Sequence, residues 1–291
     1  MNNKYIEFKK KRELGDILTD TFAFLRQNIK PLFSIALKTT GIPFILVILS
    51  TAYYTHASAN MFEPFALESG QFFNSGNILI SLLMLFITAL IFYGLLAASI
   101  LHYIKIYSKN EGVVDEKAVI QGVKKDFGNI IGLAILSWLI VAFGTVLCVI
   151  PGIYLYVPMS LVFSILIFRE TSISDAINDS FQLVKNEWWI TFATLLVVGL
   201  ITYIISMIFS IPAVIYTFVK TFTAASEGTL SDPSEMFDWV FIVLNTLASA
   251  AQYIIMYIIT PISVAFIYFN LNERKHNTGA LEQIDSLGKS E

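Results

Sequence analysis

Few side chains in this 291-residue chain have the type and setting for chemistry, and Lys38 is the first of them. It is the one ionisable side chain inside the expected hydrocarbon core, and a charge at that depth marks a functional candidate. Thr39, Thr40, Gly41 and Pro43 follow it. A Gly/Pro break beside a cation is how transporters expose backbone groups to an anionic substrate. Lys38, Thr39 and Thr40 are therefore the candidate contacts for a ligand or a lipid headgroup. A plainer reading exists for the same residues. Lys38 lies roughly 10 Å inside its apolar run at about 1.5 Å per residue, and its side chain leans toward the helix N-terminus. It can then snorkel to the headgroups, while Gly41 and Pro43 make a kink. Asn245 and Gln252, one heptad apart on one helix face, suit hydrogen bonds between neighbouring spans; a polar pathway is the alternative. His56, His102 and His276 lie far apart without ligand spacing, and Cys148 is the single cysteine. No metal, no cofactor and no enzymatic activity are expected.

The elements that must position these residues are membrane spans. Only 14% of the chain is charged, against about 25% in a soluble domain. Between Asp126 and Arg169 lie 42 consecutive residues without a charge. Apolar runs at 32–54, 77–104, 129–149, 153–168, 188–219 and 239–271 each fit a crossing of about 20 residues. Period-two alternation, the barrel signal, is absent, so an all-α membrane protein with six transmembrane helices is expected. Residues 1–272 form one polytopic domain in this reading, and 273–291 a polar cytoplasmic tail. Pro151-Gly152 is the expected turn between the third and fourth runs. The fourth run is short and contains Pro158, leaving a full span or a re-entrant segment. Gly199, Pro212 and Pro261 are places for the long last runs to kink.

Orientation follows from basic residues. Residues 1–30 carry seven Lys or Arg, 105–125 five, 169–185 two and 274–289 three, against Lys220 alone in the opposite connections. Both termini are therefore expected in the cytoplasm. The basic cluster Lys9 to Arg12 serves as topogenic signal with affinity for anionic lipid.

Three cytoplasmic segments carry helical stripes. In 13–29 the stripe is Leu14, Ile17, Leu18, Phe22, Leu25 and Ile29; in 173–188 it is Ile173, Ile177, Phe181, Val184 and Trp188. A shorter one runs through Val119, Ile120, Val123 and Phe127. Each precedes a pair of spans, so the layout is three hairpins, each led by an amphipathic interfacial helix. Asp16-Ile-Leu-Thr-Asp20-Thr-Phe22 aligns with Asp175-Ala-Ile-Asn-Asp179-Ser-Phe181, and Val123-Lys-Lys-Asp126-Phe127 resembles Val184-Lys-Asn-Glu187-Trp188. A threefold parallel pseudo-repeat is expected.

The block Cys148-Val-Ile-Pro151-Gly152-Ile153, the Ser174-Asp175-Ala176-Ile177 and Ser180 helix with Lys185 and Trp188, and the opening Leu14-Gly15-Asp16-Ile17-Leu18 with Phe22 resemble one bacterial family. It is the membrane domain attached to some glycerophosphoryl diester phosphodiesterases, with its stand-alone YciC-like inner-membrane relatives. In the fused proteins the chemistry belongs to a separate TIM barrel with catalytic Glu and His. Nothing here matches that barrel, so the resemblance brings no catalytic residue. It implies a bacterial inner-membrane protein. Mitochondrial carriers share six spans in three repeats, but the nearest string to their signature, Pro233-Ser-Glu235-Met-Phe-Asp238, ends in an acid. Two functions fit the residues: a non-enzymatic scaffold or accessory module for a partner protein or lipid organisation, with the amphipathic helices as contact surface, or a carrier of a lipid or small amphiphilic anion through Lys38 and the Thr39–Pro43 break. No nucleic-acid partner is expected.

Overall fold

A computed structural model of the chain describes residues 5–59, 76–227, 238–279 and 281. Among them the only regular elements are helices. In chain order these are α1 (Leu14–Ala59), α2 (Gly76–Lys109), α3 (Glu116–Lys125), α4 (Phe127–Leu147), α5 (Val149–Arg169), α6 (Ile173–Val184), α7 (Trp188–Met207), α8 (Ile211–Glu227) and α9 (Trp239–His276). Six segments are long and apolar enough to cross a bilayer: Leu14–Ser58, Asn77–Lys109, Phe127–Leu147, Val149–Arg169, Trp188–Ser226 and Trp239–His276. The chain is an all-α, six-span polytopic membrane protein.

Where spans were expected, the helices differ in their ends. Residues 13–29 do not form a separate interfacial helix; they continue into the first span as one helix of 46 residues. A proline removes one internal hydrogen bond, and buried Phe24, Leu32 and Ile35 on either side of Pro31 hold the helix together across it. The turn after α4 falls on Cys148, which is extended (φ −170°, ψ 150°), and not on Pro151-Gly152. Pro151 sits in the first turn of α5, where its missing N–H costs nothing. Gly152 is where the two helices touch. A Cβ there would come within 2.9 Å of Thr145 Cα, and one on Gly144 within 2.6 Å of Leu155 Cδ1. Residues 153–168 lie within a complete helix of 21 residues. The fifth span breaks at a single 3-10 turn, Ile208–Ser210, just ahead of Pro212, whereas α9 runs through Pro261.

The short helices α3 and α6 have ordinary starts. Asp115 accepts a hydrogen bond from Lys117 N at 2.9 Å, and Ser172 accepts from Asp175 N at 3.2 Å while donating to Asp175 Oδ2 at 2.7 Å, a reciprocal cap. The α6 stripe read from the sequence lies beside the most buried face. Ala176, Ser180 and Leu183 are buried, with Ile173, Ile177 and Phe181 half-buried. In α1 the buried positions are Ile17, Thr21, Phe24 and Asn28, and Leu18, Phe22 and Leu25 are half-buried. Small or polar residues are among the fully buried positions in both.

The chain divides into two compact units. The first comprises Met1–Thr40, Tyr93–Ile201 and Tyr257–Glu291; the second comprises Gly41–Phe92 and Thr202–Met256. In the first unit, α9 is buried on all sides from Ile258 to Leu271, apart from half-buried Thr260, the pattern of a central helix. Phe8 stacks on Phe266 at 4.4 Å and packs edge-on against Phe24 at 5.2 Å. In the second, Phe44 packs on Phe92 at 5.3 Å, and Thr51 Oγ1 lies 3.3 Å from Tyr253 Oη.

Candidate functional site

Lys38 Nζ forms an ion pair with Glu116, the first residue of α3. Both side chains are partly exposed, at 52% and 37%. Hydrogen bonds from Lys38 and then Ser34 hold the Glu116 carboxyl below the usual glutamate range. Thr39 and Thr40 are turned to the helix itself. Thr39 Oγ1 donates to Ile35 O at 2.9 Å and lies 2.8 Å from Ser99 Oγ; Thr40 Oγ1 donates to Ala36 O at 2.7 Å and is buried. The helix is uninterrupted through Gly41 and Pro43. Its backbone amides and carbonyls there stay in the helical ladder, apart from the one bond a proline removes.

A second set of charged residues lies around the buried stretch of α9. Arg12, the last of the Lys9–Arg12 cluster, is not a surface cation but one of the most buried side chains of the first unit. Its Nε donates to Asp20 Oδ2 at 2.9 Å and Nη1 to Phe8 O at 2.7 Å, while Nη2 meets Glu7 O. The guanidinium lies 4.7 Å over the Phe266 ring, and the Arg12 backbone N–H donates to Asn270 Oδ1 at 2.8 Å. Burial pulls the Arg12 pKa down, and Asp20 opposes the shift. Arg169, at the end of α5, repeats this with other partners. Nη1 donates to Asp179 Oδ2 at 2.6 Å, Nη2 to Asn272 Oδ1 at 3.2 Å and Nε to Tyr268 Oη at 3.3 Å. Each arginine thus joins an acid from another helix, Asp20 of α1 or Asp179 of α6, to an aromatic-x3-Asn pair on α9. Phe266/Asn270 and Tyr268/Asn272 are two residues apart, about 200° at 3.6 residues per turn. The two clamps grip nearly opposite faces of α9.

Further polar contacts seat the short helices. His102 Nε2 lies 3.2 Å from Asp126 Oδ2 without the alignment of a hydrogen bond. The His102 ring lies where a Gly122 side chain would go: a Cβ there would be 2.6 Å from Nδ1. Lys105 Nζ donates to Ile167 O at 2.6 Å and to Glu170 Oε1 at 2.7 Å, and that contact lowers the Glu170 pKa. Arg274 reaches Glu187 at 3.8 Å, Glu13 at 3.5 Å and Arg12 O at 3.2 Å. Glu273, also buried, accepts from Gly279 N with both oxygens at 2.9 Å. Sequence reading missed the arginines. The visible signal was the alignment of Asp20 with Asp179, the two acids they hold.

In the second unit, Asn245 Nδ2 donates to Thr55 Oγ1 at 3.3 Å and Gln252 Nε2 to Ser210 Oγ at 2.6 Å. Both amides link separate spans. Asp238 accepts from Lys220 Nζ at 2.8 Å, from Phe241 N at 2.9 Å and from Tyr216. Burial raises its pKa, but these donors outweigh it and bring it to about 2. Among the described residues, no group of three His, Cys, Asp or Glu side chains is placed to hold a metal. No protein-family model matches the chain, and no curated protein and no solved structure matches it.

Proposed function

We propose that this polytopic membrane protein is a non-enzymatic scaffold or accessory module, with both termini on the cytoplasmic side of a bacterial inner membrane. The observation that carries the reading is the use of its charges. Arg12, Arg169, Arg274, Lys105 and Lys38 each meet an acid on a neighbouring segment. Such pairs brace helices; a site built for an incoming anion would keep a cation available. The outward polar residues of α3 and α6, among them Lys117, Lys124, Asn178 and Gln182, are exposed and offer the contact surface for a partner. The basic-residue asymmetry supports the orientation. The like burial of Ile17, Thr21 and Phe24 and of Ala176, Ser180 and Leu183 supports the pseudo-repeat.

Affinity purification in mild detergent tests the scaffold reading. A stoichiometric partner lost on charge reversal at Lys117 and Lys124 is expected. No partner, together with unchanged membrane lipid content on deletion, would overturn it. The carrier reading keeps Lys38 as its binding group and requires Glu116 to release it. Flux of an amphiphilic anion into vesicles, abolished by Lys38→Ala, would replace the scaffold by the carrier.

A further inference from the structure

The second unit contains a groove of about 450 Å³ between α8 and α9, within the 300–1,000 Å³ typical of small-molecule sites. Its apolar wall is Ala213, Val214, Phe218 and Phe241. Val214 and Phe218 are 62% and 71% exposed at its rim, and both belong to a membrane span. A rim so apolar, on a segment of that length and hydropathy, fits lipid better than water as its medium. Each polar residue of the wall already makes a hydrogen bond within the protein. Thr217 and Thr221 donate to the α8 carbonyls of Ala213 and Thr217, at 2.9 and 2.8 Å. Ser210 accepts from Gln252, and Asn245 donates to Thr55. With those hydrogen bonds made inside the protein, the groove asks for a hydrocarbon guest more than for a polar one.

Length favours a particular guest. From Ser210 to Thr221 the wall runs about 16 Å at 1.5 Å per residue, roughly half of a 30 Å hydrocarbon core and so the depth of one leaflet. Lys220, Tyr216 and Asp238 form the polar cluster where α8 and α9 approach their connection. We propose that this groove binds one acyl chain of a bilayer phospholipid, its glycerol end toward the Lys220–Asp238 pair. The site is independent of the scaffold reading and holds whether or not a partner exists.

The test places the full-length protein in vesicles of phosphatidylethanolamine and phosphatidylglycerol containing a phosphatidylethanolamine with a diazirine on one acyl chain. Photolabelled positions are then mapped by mass spectrometry. Label is expected to concentrate on Val214, Phe218 and Phe241 over the lipid-facing Leu139 and Phe143 of α4. Thr217→Leu, which fills the groove, should reduce labelling there about tenfold, equivalent to about 1.4 kcal/mol, with α4 labelling unchanged. Thr217→Ser should keep the wild-type pattern. Equal labelling of the groove and α4 in the wild type, or no loss on filling, would overturn the site.

Discussion

Each of the two compact units is held together internally by its own chemistry. Of the 19 Lys and Arg residues, Lys220 alone belongs to the second unit, leaving 18 in the first. The first unit ties its helices with buried or half-buried ion pairs around α9, each supported by an aromatic ring or an asparagine. The second ties its spans mainly with neutral amide and hydroxyl contacts, Asn245 to Thr55 and Gln252 to Ser210. A buried charge that loses its partner is costly, whereas a neutral hydrogen bond between spans contributes little. The contrast teaches that the structural burden on single residues is concentrated in the first unit.

The largest effect should come from Arg12→Ala. It removes the donor to the carbonyls of Glu7, Phe8 and Lys10 and leaves Asp20 with Lys10 alone, 3.3 Å away, and the expected loss is about 3 kcal/mol in unfolding from detergent. A loss below that of any second-unit substitution would break the comparison. Arg169→Ala sharpens it within the first unit. Its pair with Asp179 is about one-third exposed (28% and 32%), so a charge-assisted bond of about 1.5 kcal/mol is the expected loss. Gln252→Leu probes the second unit by the same unfolding measurement and should cost about 0.6 kcal/mol.

The smallest effect is pH-dependent. Because Lys38 depresses the Glu116 pKa, the pair stabilises the fold fully above the unfolded glutamate value of about 4.3. That contribution is lost as pH falls through the lower folded value. The wild-type advantage over Glu116→Gln should therefore be flat near neutrality and disappear in acid. An advantage that grows on acidification would contradict the pairing.

Much of the fold was legible because a bilayer leaves few solutions. The charge-free stretch from 127 to 168 and the long apolar runs admit helices alone, and the described residues contain six long and apolar enough to cross. Helix ends were less legible. The expected break between 29 and 32 is absent, with Pro31 mid-helix among buried neighbours, and Pro151, expected in a turn, sits in the first turn of a helix. The clamps were half legible. Alignment picked out Asp20 and Asp179, yet nothing local says that Arg12, among three other basic residues, is the one that goes inside. That choice depends on Phe266 and Asn270, over 250 residues away, and so on tertiary packing. Lys38 stood out by depth along the chain, and its partner Glu116 did not, because an acid in an amphipathic helix looks like ordinary surface.

Orientation underlies the functional account, and the single cysteine measures it without mutation. Cys148 is exposed at the turn between α4 and α5, and the proposed orientation, argued from basic-residue placement, has that turn outside. A membrane-impermeant maleimide added to intact cells should label Cys148, and permeabilisation should add little. Labelling that requires permeabilisation would put the turn inside and contradict the topology on which the account stands.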